Sequence, residues 1–318
     1  MDEAASPLRP VRAVGDQFFT MAGAVMPLFA NDSLYAPTRP WRRAMIVLHG
    51  RQRNAEDYFA IACAAARQAG VPTLVIAPQL LAGQDVKAHG LGPEFLYWDE
   101  TGWMGGDEAL GPARLSGFTL LDLVLAHLQT PALFPHLQHI VLAGHSGGGQ
   151  VMHRYAILTG ASGALSFVIA NPSSYAYFSP DRPAGEGFAP PDAARFPGYD
   201  DWKYGMNRRP AYGAALDAAT LEARYAARDV TYLLGARDCD TAHPALDRSL
   251  AAQAQGPHRL ARGQAYWRYL RQRNGARLRH HYFEIAEVGH EPLGMLTAKE
   301  ARACLFGLDT APAEGIVP

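Results

Sequence analysis

Short apolar runs alternate along the chain with longer segments whose apolar positions have helical spacing. Such runs are typical of strands that are buried on both faces of a parallel sheet. Six strands are predicted on this pattern, at residues 44–48, 73–77, 139–143, 165–170, 230–234 and 281–285. Two further segments, 17–20 and 25–29, are predicted as short strands. The alternation of strands and helices predicts an α/β fold with a doubly wound, mostly parallel sheet.

Residues that favour helix ends mark several of the intervening helices. Asn54 is predicted to cap a helix that runs to about residue 68 and ends before Gly70. Ser116 is predicted to cap a second helix, which runs to about residue 129. Further helices are predicted near residues 150–158, 260–273 and 297–305.

Two long segments, 78–114 and 171–226, interrupt the alternation and are rich in glycine, proline and aromatic residues. Loops of this length are usually lids or binding loops, and their aromatic content argues against disorder. We therefore predict a single domain over residues 1–318, with a loose N-terminal arm over about 1–15 and a lid-like insertion over about 171–226. The aromatic side chains of both segments are predicted to roof a substrate pocket, with Trp103 and Tyr175 as candidate substrate contacts.

The charge balance argues against nucleic acid or an anionic membrane as the main partner. The chain has 29 basic and 30 acidic residues, a net charge of −1 and no long basic run. No stretch reaches the roughly 18 apolar residues that a membrane span requires. We expect a soluble protein, cytoplasmic if the chain is complete and secreted or periplasmic if a leader was removed. The sequence leaves the oligomeric state open.

The cysteines indicate neither a metal site nor a disulfide framework. Cys63, Cys239 and Cys304 lack the C-x-x-C spacing of zinc and redox sites, and an odd number leaves at least one thiol free. We predict no metal and no organic cofactor.

A G-x-S-x-G motif, Gly144-His145-Ser146-Gly147-Gly148, lies between a predicted strand and a predicted helix. In a sharp strand-to-helix turn the serine hydroxyl is exposed at the top of the sheet, and the glycines let the turn close without clashes. The pattern alone is a weak signal, and the alternative is that Ser146 is only a turn residue. The strand before it and the helix after it favour a nucleophilic serine.

A serine hydroxyl becomes a good nucleophile when a base takes its proton and an acid holds that base in place. Asp238 and His290 each follow one of the last two predicted strands. Since the carboxyl ends of parallel strands meet at one edge of a sheet, Ser146, Asp238 and His290 are predicted to form a catalytic triad. Asp240, two residues after Asp238, is the alternative for the acid.

Other histidines compete with His290 for the role of base. His280 and His281 start a predicted strand, so we expect them to pack or to be solvated. His49 and His145 flank the serine turn, and we expect them to orient the backbone. His290 is favoured because it lies in a loop that follows the last strand.

On these motifs the chain resembles the serine hydrolases of the α/β-hydrolase superfamily, over about residues 43–305. Leu48-His49-Gly50, followed by the sequence NAEDYF at residues 54–59, resembles the branch of polyhydroxyalkanoate depolymerases and feruloyl esterases. Members of that branch often carry cysteine after His-Gly, where this chain has Arg51. The resemblance implies that the backbone N–H groups of Arg51 and Gly147 form an oxyanion hole, which stabilises the negative charge of the transition state.

These observations predict a serine hydrolase that cleaves a carboxylic ester, in a small-molecule or oligomeric substrate, through an acyl-enzyme. Ser146 would attack the carbonyl, His290 would carry the proton and Asp238 would hold His290. An amidase or peptidase with the same triad is one alternative, because both reactions are acyl transfers. A non-catalytic binding module on the same fold is another.

Overall fold

The structure, a computed structural model, describes residues 9–21 and 23–308. In chain order, its strands are β1 (Gln17–Met21), β2 (Ala24–Ala30), β3 (Arg43–Leu48), β4 (Leu74–Pro78), β5 (Leu81–Ala82), β6 (Tyr97–Trp98), β7 (His139–His145), β8 (Leu165–Ala170), β9 (Arg182–Ala184), β10 (Gly187–Ala189), β11 (Asp229–Gly235) and β12 (His280–Ile285). Its α-helices are α1 (Ala55–Ala69), α2 (Gly83–Ala88), α3 (Gly117–Leu128), α4 (Gly147–Leu158), α5 (Ala218–Ala226), α6 (Leu250–Gln253), α7 (Arg259–Asn274), α8 (Pro292–Thr297) and α9 (Lys299–Phe306). Among the described residues, no helix has both the length and the apolar character that crossing a membrane requires.

Eight strands form the central sheet, in the order β1-β2-β4-β3-β7-β8-β11-β12. The strands from β4 to β12 in that order pair in parallel, whereas β1 and β2 pair antiparallel and β2 joins β4 antiparallel. The predicted α/β fold with a doubly wound, mostly parallel sheet is confirmed. The carboxyl ends of the parallel strands meet at one edge of this sheet, where sites in such folds gather.

Alternate residues of the central strands face two separate apolar cores, one on each side of the sheet. Ile46 of β3 and Leu142 of β7 lie in one core, whereas Val47 and Val141 lie in the other. All four side chains are fully buried. Successive side chains of a strand point to opposite faces, so burial of both faces requires an apolar residue at every position. This explains the uninterrupted apolar runs of the sequence.

Most predicted helix ends agree closely with the structure, but Asn54 does not act as a cap, α4 begins earlier than predicted, at Gly147, and α8 precedes the last predicted helix. Ser116 Oγ accepts a hydrogen bond from the backbone N of Thr119 at 3.1 Å, as expected of an N-cap. Gly70 closes α1 in the left-handed conformation, with a φ of 68°. Asn54 precedes α1, but its side-chain amide donates to Asp57 Oδ2 at 2.8 Å and makes no capping hydrogen bond. The Asn54 side chain therefore binds the Asp57 carboxylate and not the backbone N–H groups at the start of α1.

The two long segments contain regular elements that their composition does not reveal. The first holds β5, α2 and β6, and the second holds the β9–β10 hairpin and α5. Leu221 and Tyr225 of α5 are fully buried, and the Tyr225 hydroxyl lies 3.0 Å from Nδ1 of His153 on α4. Residues 218–226 therefore lie in the helical layer over the sheet, although they fall within the predicted lid-like insertion.

The described part of the predicted N-terminal arm lies against the body of the protein. The backbone N of Val11 donates to Asp85 Oδ1 at 2.9 Å, and that of Gly15 donates to Gln79 Oε1 at 3.0 Å. Both acceptor side chains are fully buried, so this segment is held in place, in contrast to the loose arm that was predicted. Residues 1–8 of the arm, and residues 309–318 of the predicted single domain, lie outside the described residues. The division of the chain into one domain with a lid-like insertion stays a prediction.

Candidate active site

Ser146 occupies the tight turn between β7 and α4 in a backbone conformation that non-glycine residues rarely adopt. Its φ is 57° and its ψ is −117°, and its backbone N donates to Ala170 O at 2.9 Å. Such strain persists only where the surrounding structure fixes it, and it is often found at functional sites. The flanking glycines permit the turn, because a Cβ at Gly144 or at Gly148 would come within 2.3 Å of a backbone oxygen.

Two hydrogen bonds connect Asp238, His290 and Ser146 in a row. His290 Nδ1 lies 2.7 Å from Asp238 Oδ2, and His290 Nε2 lies 2.9 Å from Ser146 Oγ. Since a carboxylate only accepts hydrogen bonds, Nδ1 carries the proton and Nε2 can accept the proton of the serine hydroxyl. Asp240 is exposed, and its Oδ1 accepts from the backbone N of Ala242. The structure thus brings together Ser146, His290 and Asp238 and leaves Asp240 apart from them.

A buried arginine that was not predicted from the sequence binds the second oxygen of the Asp238 carboxylate. Arg259, the first residue of α7, donates from Nη1 to Asp238 Oδ1 at 3.2 Å and from Nε to Ser173 Oγ at 2.9 Å. Burial raises the pKa of Asp238, but the hydrogen bond from His290 and the Arg259 cation outweigh it, so the pKa lies below its ordinary value. The carboxylate is therefore ionised and fixed at both oxygens.

The environment of His290 keeps its imidazole neutral at neutral pH. Burial is the largest effect and lowers the pKa, and the Arg259 cation lowers it further. The hydrogen bond to Asp238 opposes them, but the pKa still lies below 6.5. A neutral imidazole with a free acceptor nitrogen is the form that a general base requires.

Asn171, also missed from the sequence, ties the loop of His290 to the neighbouring strand. It directly follows β8 with a φ of 43°. Its Oδ1 accepts from the backbone N of Gly235 at 2.8 Å, and its Nδ2 donates to Gly289 O at 3.0 Å. The available signal was an asparagine directly after a buried strand, since asparagine tolerates positive φ and bonds to nearby backbone.

The other histidines near Ser146 have structural partners. His49 Nδ1 donates to Gly50 O at 2.8 Å, and its Nε2 accepts from the backbone N of Leu80 at 3.0 Å, so it orients backbone as expected. His145 differs from that expectation, because its Nδ1 lies 3.0 Å from the Tyr58 hydroxyl and its ring packs 4.7 Å from that of His290. Burial lowers the pKa of both, that of His49 to about 4, which keeps both rings neutral.

The backbones of Arg51 and Gly147 adjoin one another next to Ser146. The backbone N of Arg51 lies 3.1 Å from the position that a Cβ at Gly147 would occupy. A Cβ at Gly50 would lie 3.5 Å from Ser146 Cβ, which brings the His49–Arg51 loop close to the serine. The two residues predicted to supply oxyanion-hole donors are thus neighbours in space.

A cavity of about 220 Å³ opens above Ser146. Part of its lining is polar or charged: Ser146, Gln150, Arg51, Lys203, Asp247 and Arg248. Within the described residues, no aromatic side chain lines this cavity, which contradicts the predicted aromatic roof. The lining instead combines these cationic and polar side chains with the apolar side chains of Met104, Ala245 and Leu246.

The two predicted substrate contacts lie behind the cavity wall. Trp103 is fully buried, with its ring 5.1 Å from that of His49 and its edge 3.2 Å from a Cβ position at Gly147. Tyr175 is fully buried and stacks on Tyr266 at 4.6 Å. Neither ring lines the cavity, so the prediction that they contact substrate is wrong. Large apolar rings gain more from packing beneath the loops than from lining a polar cavity.

Solved structures resemble the chain over nearly its whole length, although no protein-family model and no curated protein matches it. It is similar to poly(aspartic acid) hydrolase-1 from Sphingomonas sp. KT-1, with 25% sequence identity, coverage of 94% of this chain and 99% of that chain, and a TM-score of 0.64. It is also similar to LpqC, a poly(3-hydroxybutyrate) depolymerase from Bordetella parapertussis, with 25% identity, coverage of 92% and 88%, and a TM-score of 0.61. The siderophore hydrolase EstB from Aspergillus nidulans shares the fold at 13% identity, with coverage of 94% and 97% and a TM-score of 0.50.

The sheet and these neighbours together define the class of protein. The chain belongs to the α/β-hydrolase superfamily, which confirms the resemblance inferred from its motifs. Both neighbours at 25% identity are hydrolases named for polymeric substrates. Hydrolase is therefore the class of enzyme that the comparisons support for this chain.

Proposed function

We propose that the protein is a serine hydrolase that cleaves carboxylic esters through an acyl-enzyme, with Ser146, His290 and Asp238 as its catalytic triad. The observation that carries this proposal is the unbroken row of hydrogen bonds from Asp238 through His290 to Ser146, at 2.7 Å and 2.9 Å. The strained turn that holds the serine supports it further, because it fixes the hydroxyl at the mouth of a cavity.

In the proposed reaction, Ser146 Oγ attacks the ester carbonyl while its proton moves to His290 Nε2. Asp238 stabilises the imidazolium that forms. The backbone N–H groups of Arg51 and Gly147 donate to the carbonyl oxygen as it becomes an oxyanion, and the N-terminus of α4 adds a favourable dipole. The tetrahedral intermediate then collapses, the ester C–O bond breaks, and His290 gives its proton to the leaving alcohol. Water repeats the same steps on the acyl-enzyme, which releases the acid and restores Ser146.

Amide hydrolysis by the same triad is the second candidate. One neighbour at 25% identity is named as a hydrolase of poly(aspartic acid), a polyamide, while the other is named for a polyester. A 4-nitrophenyl ester and a 4-nitroanilide of the same acid separate the two candidates. For each substrate, the rate enhancement is kcat/KM divided by the rate constant of uncatalysed hydrolysis. We expect this rate enhancement to be larger for the ester than for the anilide. A larger rate enhancement for the anilide would overturn the ester proposal and establish the amide one.

The role of Ser146 is tested by substitution. We expect Ser146→Ala to lower kcat for ester hydrolysis by at least about 10³-fold, because the nucleophile is lost while the fold remains. Ser162→Ala is the matched control. Ser162 also follows a glycine by two residues, in Gly160-Ala161-Ser162, but it is exposed and lies after α4, outside the strand-to-helix turn. The control is expected to keep full activity. Unchanged hydrolysis by Ser146→Ala would refute the triad.

A further inference from the structure

The cavity above Ser146 carries an excess of positive charge, although the chain as a whole has a net charge of −1. Three cationic residues, Arg51, Lys203 and Arg248, line it against a single carboxylate, that of Asp247. An ester-binding cavity has no need of fixed cations, because an ester carries no charge. The lining therefore points to a charged group elsewhere in the substrate.

Lys203 is paired only at long range with its neighbouring carboxylate, that of Asp247. Its Nζ lies 3.9 Å from Asp247 Oδ2, beyond hydrogen-bond distance, and that oxygen accepts from the Tyr204 hydroxyl at 2.8 Å instead. The Asp247 Oδ1 accepts from the backbone N of Ser249. Asp247 is thus occupied by neutral donors, while the side chain of Lys203 keeps 25% of its surface exposed at the cavity. Its ammonium can bind a further anion.

Arg51 is a second cation at the cavity, and one of its guanidinium nitrogens lacks a hydrogen-bond acceptor in the described part of the chain. Its Nε is buried and has no hydrogen-bond partner among the described residues. Burial lowers the pKa of Lys203, and the Arg154 and Arg51 cations add to this effect against the carboxylates of Asp247 and Asp107. The positive charges of Lys203, Arg51 and Arg154 therefore repel one another. An anion bound between Lys203 and Arg51 would relieve this repulsion.

A fourth cation, Arg154, lies behind the cavity wall. Arg154 is fully buried and donates hydrogen bonds to uncharged acceptors, namely Met104 O, Gln150 Oε1, Ser174 Oγ and Lys203 O. No carboxylate accepts a hydrogen bond from Arg154 in these contacts, although the negative charge of Asp247 acts on it from a distance. Gln150 and Lys203, which accept these hydrogen bonds, line the cavity, so a positive charge lies close behind its wall.

We propose that the cavity binds substrates that carry a carboxylate close to the scissile ester, with the Lys203 ammonium and the Arg51 guanidinium as the groups that bind it. This inference rests on the proposed ester hydrolysis at Ser146, since the same cavity serves both. The carboxylate can belong to the acyl part or to the leaving alcohol, and each position has its own substrate pair below.

The test compares an anionic ester with a neutral ester of the same shape. Mono-4-nitrophenyl adipate is paired with its methyl ester for the acyl side, and the acetate of 4-hydroxybenzoate with that of methyl 4-hydroxybenzoate for the leaving-group side. We expect kcat/KM for the anionic member of at least one pair to exceed that of its neutral partner by about tenfold, as for a charge-assisted contact in a partly buried site. The pair that shows the preference identifies the side.

Lys203→Met is expected to lower this ratio of anionic to neutral kcat/KM to near unity, because the ammonium is removed while the methylene stem remains. Arg114→Met is the matched control, since Arg114 is an exposed cation that pairs with Glu108 and does not line the cavity. It is expected to leave the ratio unchanged.

If the Lys203 variant does not fold, the effect of salt on the unaltered protein provides a second measurement. Raising salt from about 0.1 M to about 1 M shortens the Debye length from about 10 Å to about 3 Å and should reduce the ratio several-fold.

The outcomes separate this inference from the proposed function. If both members of each pair are hydrolysed equally, with Ser146 required and no effect of salt, the carboxylate subsite is refuted while the ester hydrolase stands. If the ratio is high but insensitive to both Lys203→Met and salt, the assignment to these cations is also refuted. If none of the esters is hydrolysed, or hydrolysis survives Ser146→Ala, both proposals fail.

Discussion

His290 has a pKa that its surroundings set, and the sign of the shift fixes the pH dependence of activity. Burial and the Arg259 cation lower the pKa below 6.5, so the imidazole gains a proton only at more acidic pH. The protonated ring cannot accept the proton of Ser146. We therefore expect kcat/KM to fall on the acidic side, with a midpoint below 6.5, and to be independent of this group well above that midpoint.

This profile is measured with a neutral 4-nitrophenyl ester, so that the substrate does not itself titrate. Circular dichroism over the same pH range shows whether the protein stays folded on the acidic side. An acid limb with its midpoint at or above 6.5 in a folded protein would contradict the account of His290.

The residues of the site differ in how far the sequence reveals them. Ser146, Asp238 and His290 could be predicted because each follows a strand, and parallel strands end at one edge. Arg259 lies on a helix that packing alone brings against Asp238, so no local pattern marks it. Tyr175 was misassigned because aromatic composition shows that a ring is buried somewhere, but not which side of a loop it faces.

At the scale of elements, close packing of α4 against β3 positions the serine turn. A Cβ at Gly148 would lie 2.3 Å from the backbone oxygen of Leu48. We expect Gly148→Ala to shift α4, to lower the free energy of unfolding by about 1–3 kcal/mol and to reduce kcat, because Ser146 and Gly147 move with the helix. Thermal unfolding and ester kinetics measure the two effects.

Gly160→Ala is the matched control for that variant. Gly160 is exposed, and a Cβ there would meet nothing within 4 Å. Its free energy of unfolding should change by no more than about 0.5 kcal/mol. Equal effects of the two substitutions would show that the packing of α4 is not the constraint that we infer.

A buried ion pair fixes the loop that carries Arg51. Arg53 and Asp85 are fully buried, with Nε and Oδ2 at 2.6 Å, and Nη1 of Arg53 donates to Arg51 O at 3.3 Å. Arg53 Nη2 also donates to Arg9 O at 3.0 Å, and Asp85 accepts from the backbone N of Val11, so the N-terminal segment is bound to the same pair. Arg53 thereby connects the loop of Arg51 to both Asp85 and the N-terminal segment.

Asp85→Asn is expected to loosen this loop and to leave Arg53 as a buried, unpaired cation. Breaking a buried pair by removing one partner costs about 3–5 kcal/mol of folding free energy. A displaced Arg51 N–H would weaken binding of the transition state more than that of the substrate, so kcat should fall more than KM changes. In the control Glu108→Gln, which breaks the exposed pair with Arg114, the loss of stability should stay below about 1 kcal/mol. An Asp85→Asn variant that is destabilised but keeps a normal kcat would show that the Arg53–Asp85 pair does not position Arg51 for catalysis.

At the scale of the whole molecule, the fold could be predicted from its apolar runs but the order of its strands could not. Each run has enough apolar residues to be buried on both faces, which indicates a covered parallel sheet. The position of β4 outside β3, and the antiparallel joining of β2 to β4, depend on contacts between distant segments. The cationic cavity was equally hidden, because Arg51, Lys203 and Arg248 are far apart in sequence and sum to no unusual net charge.

We propose Ser146 as the activated nucleophile, and the whole reaction depends on this role. The most direct measurement is peptide mass spectrometry after reaction with a fluorophosphonate, which phosphonylates activated serines with loss of fluoride. We expect one adduct per chain, located on Ser146, absent from Ser146→Ala and formed much more slowly in His290→Ala. An adduct on another residue, or no adduct on the folded protein, would contradict it.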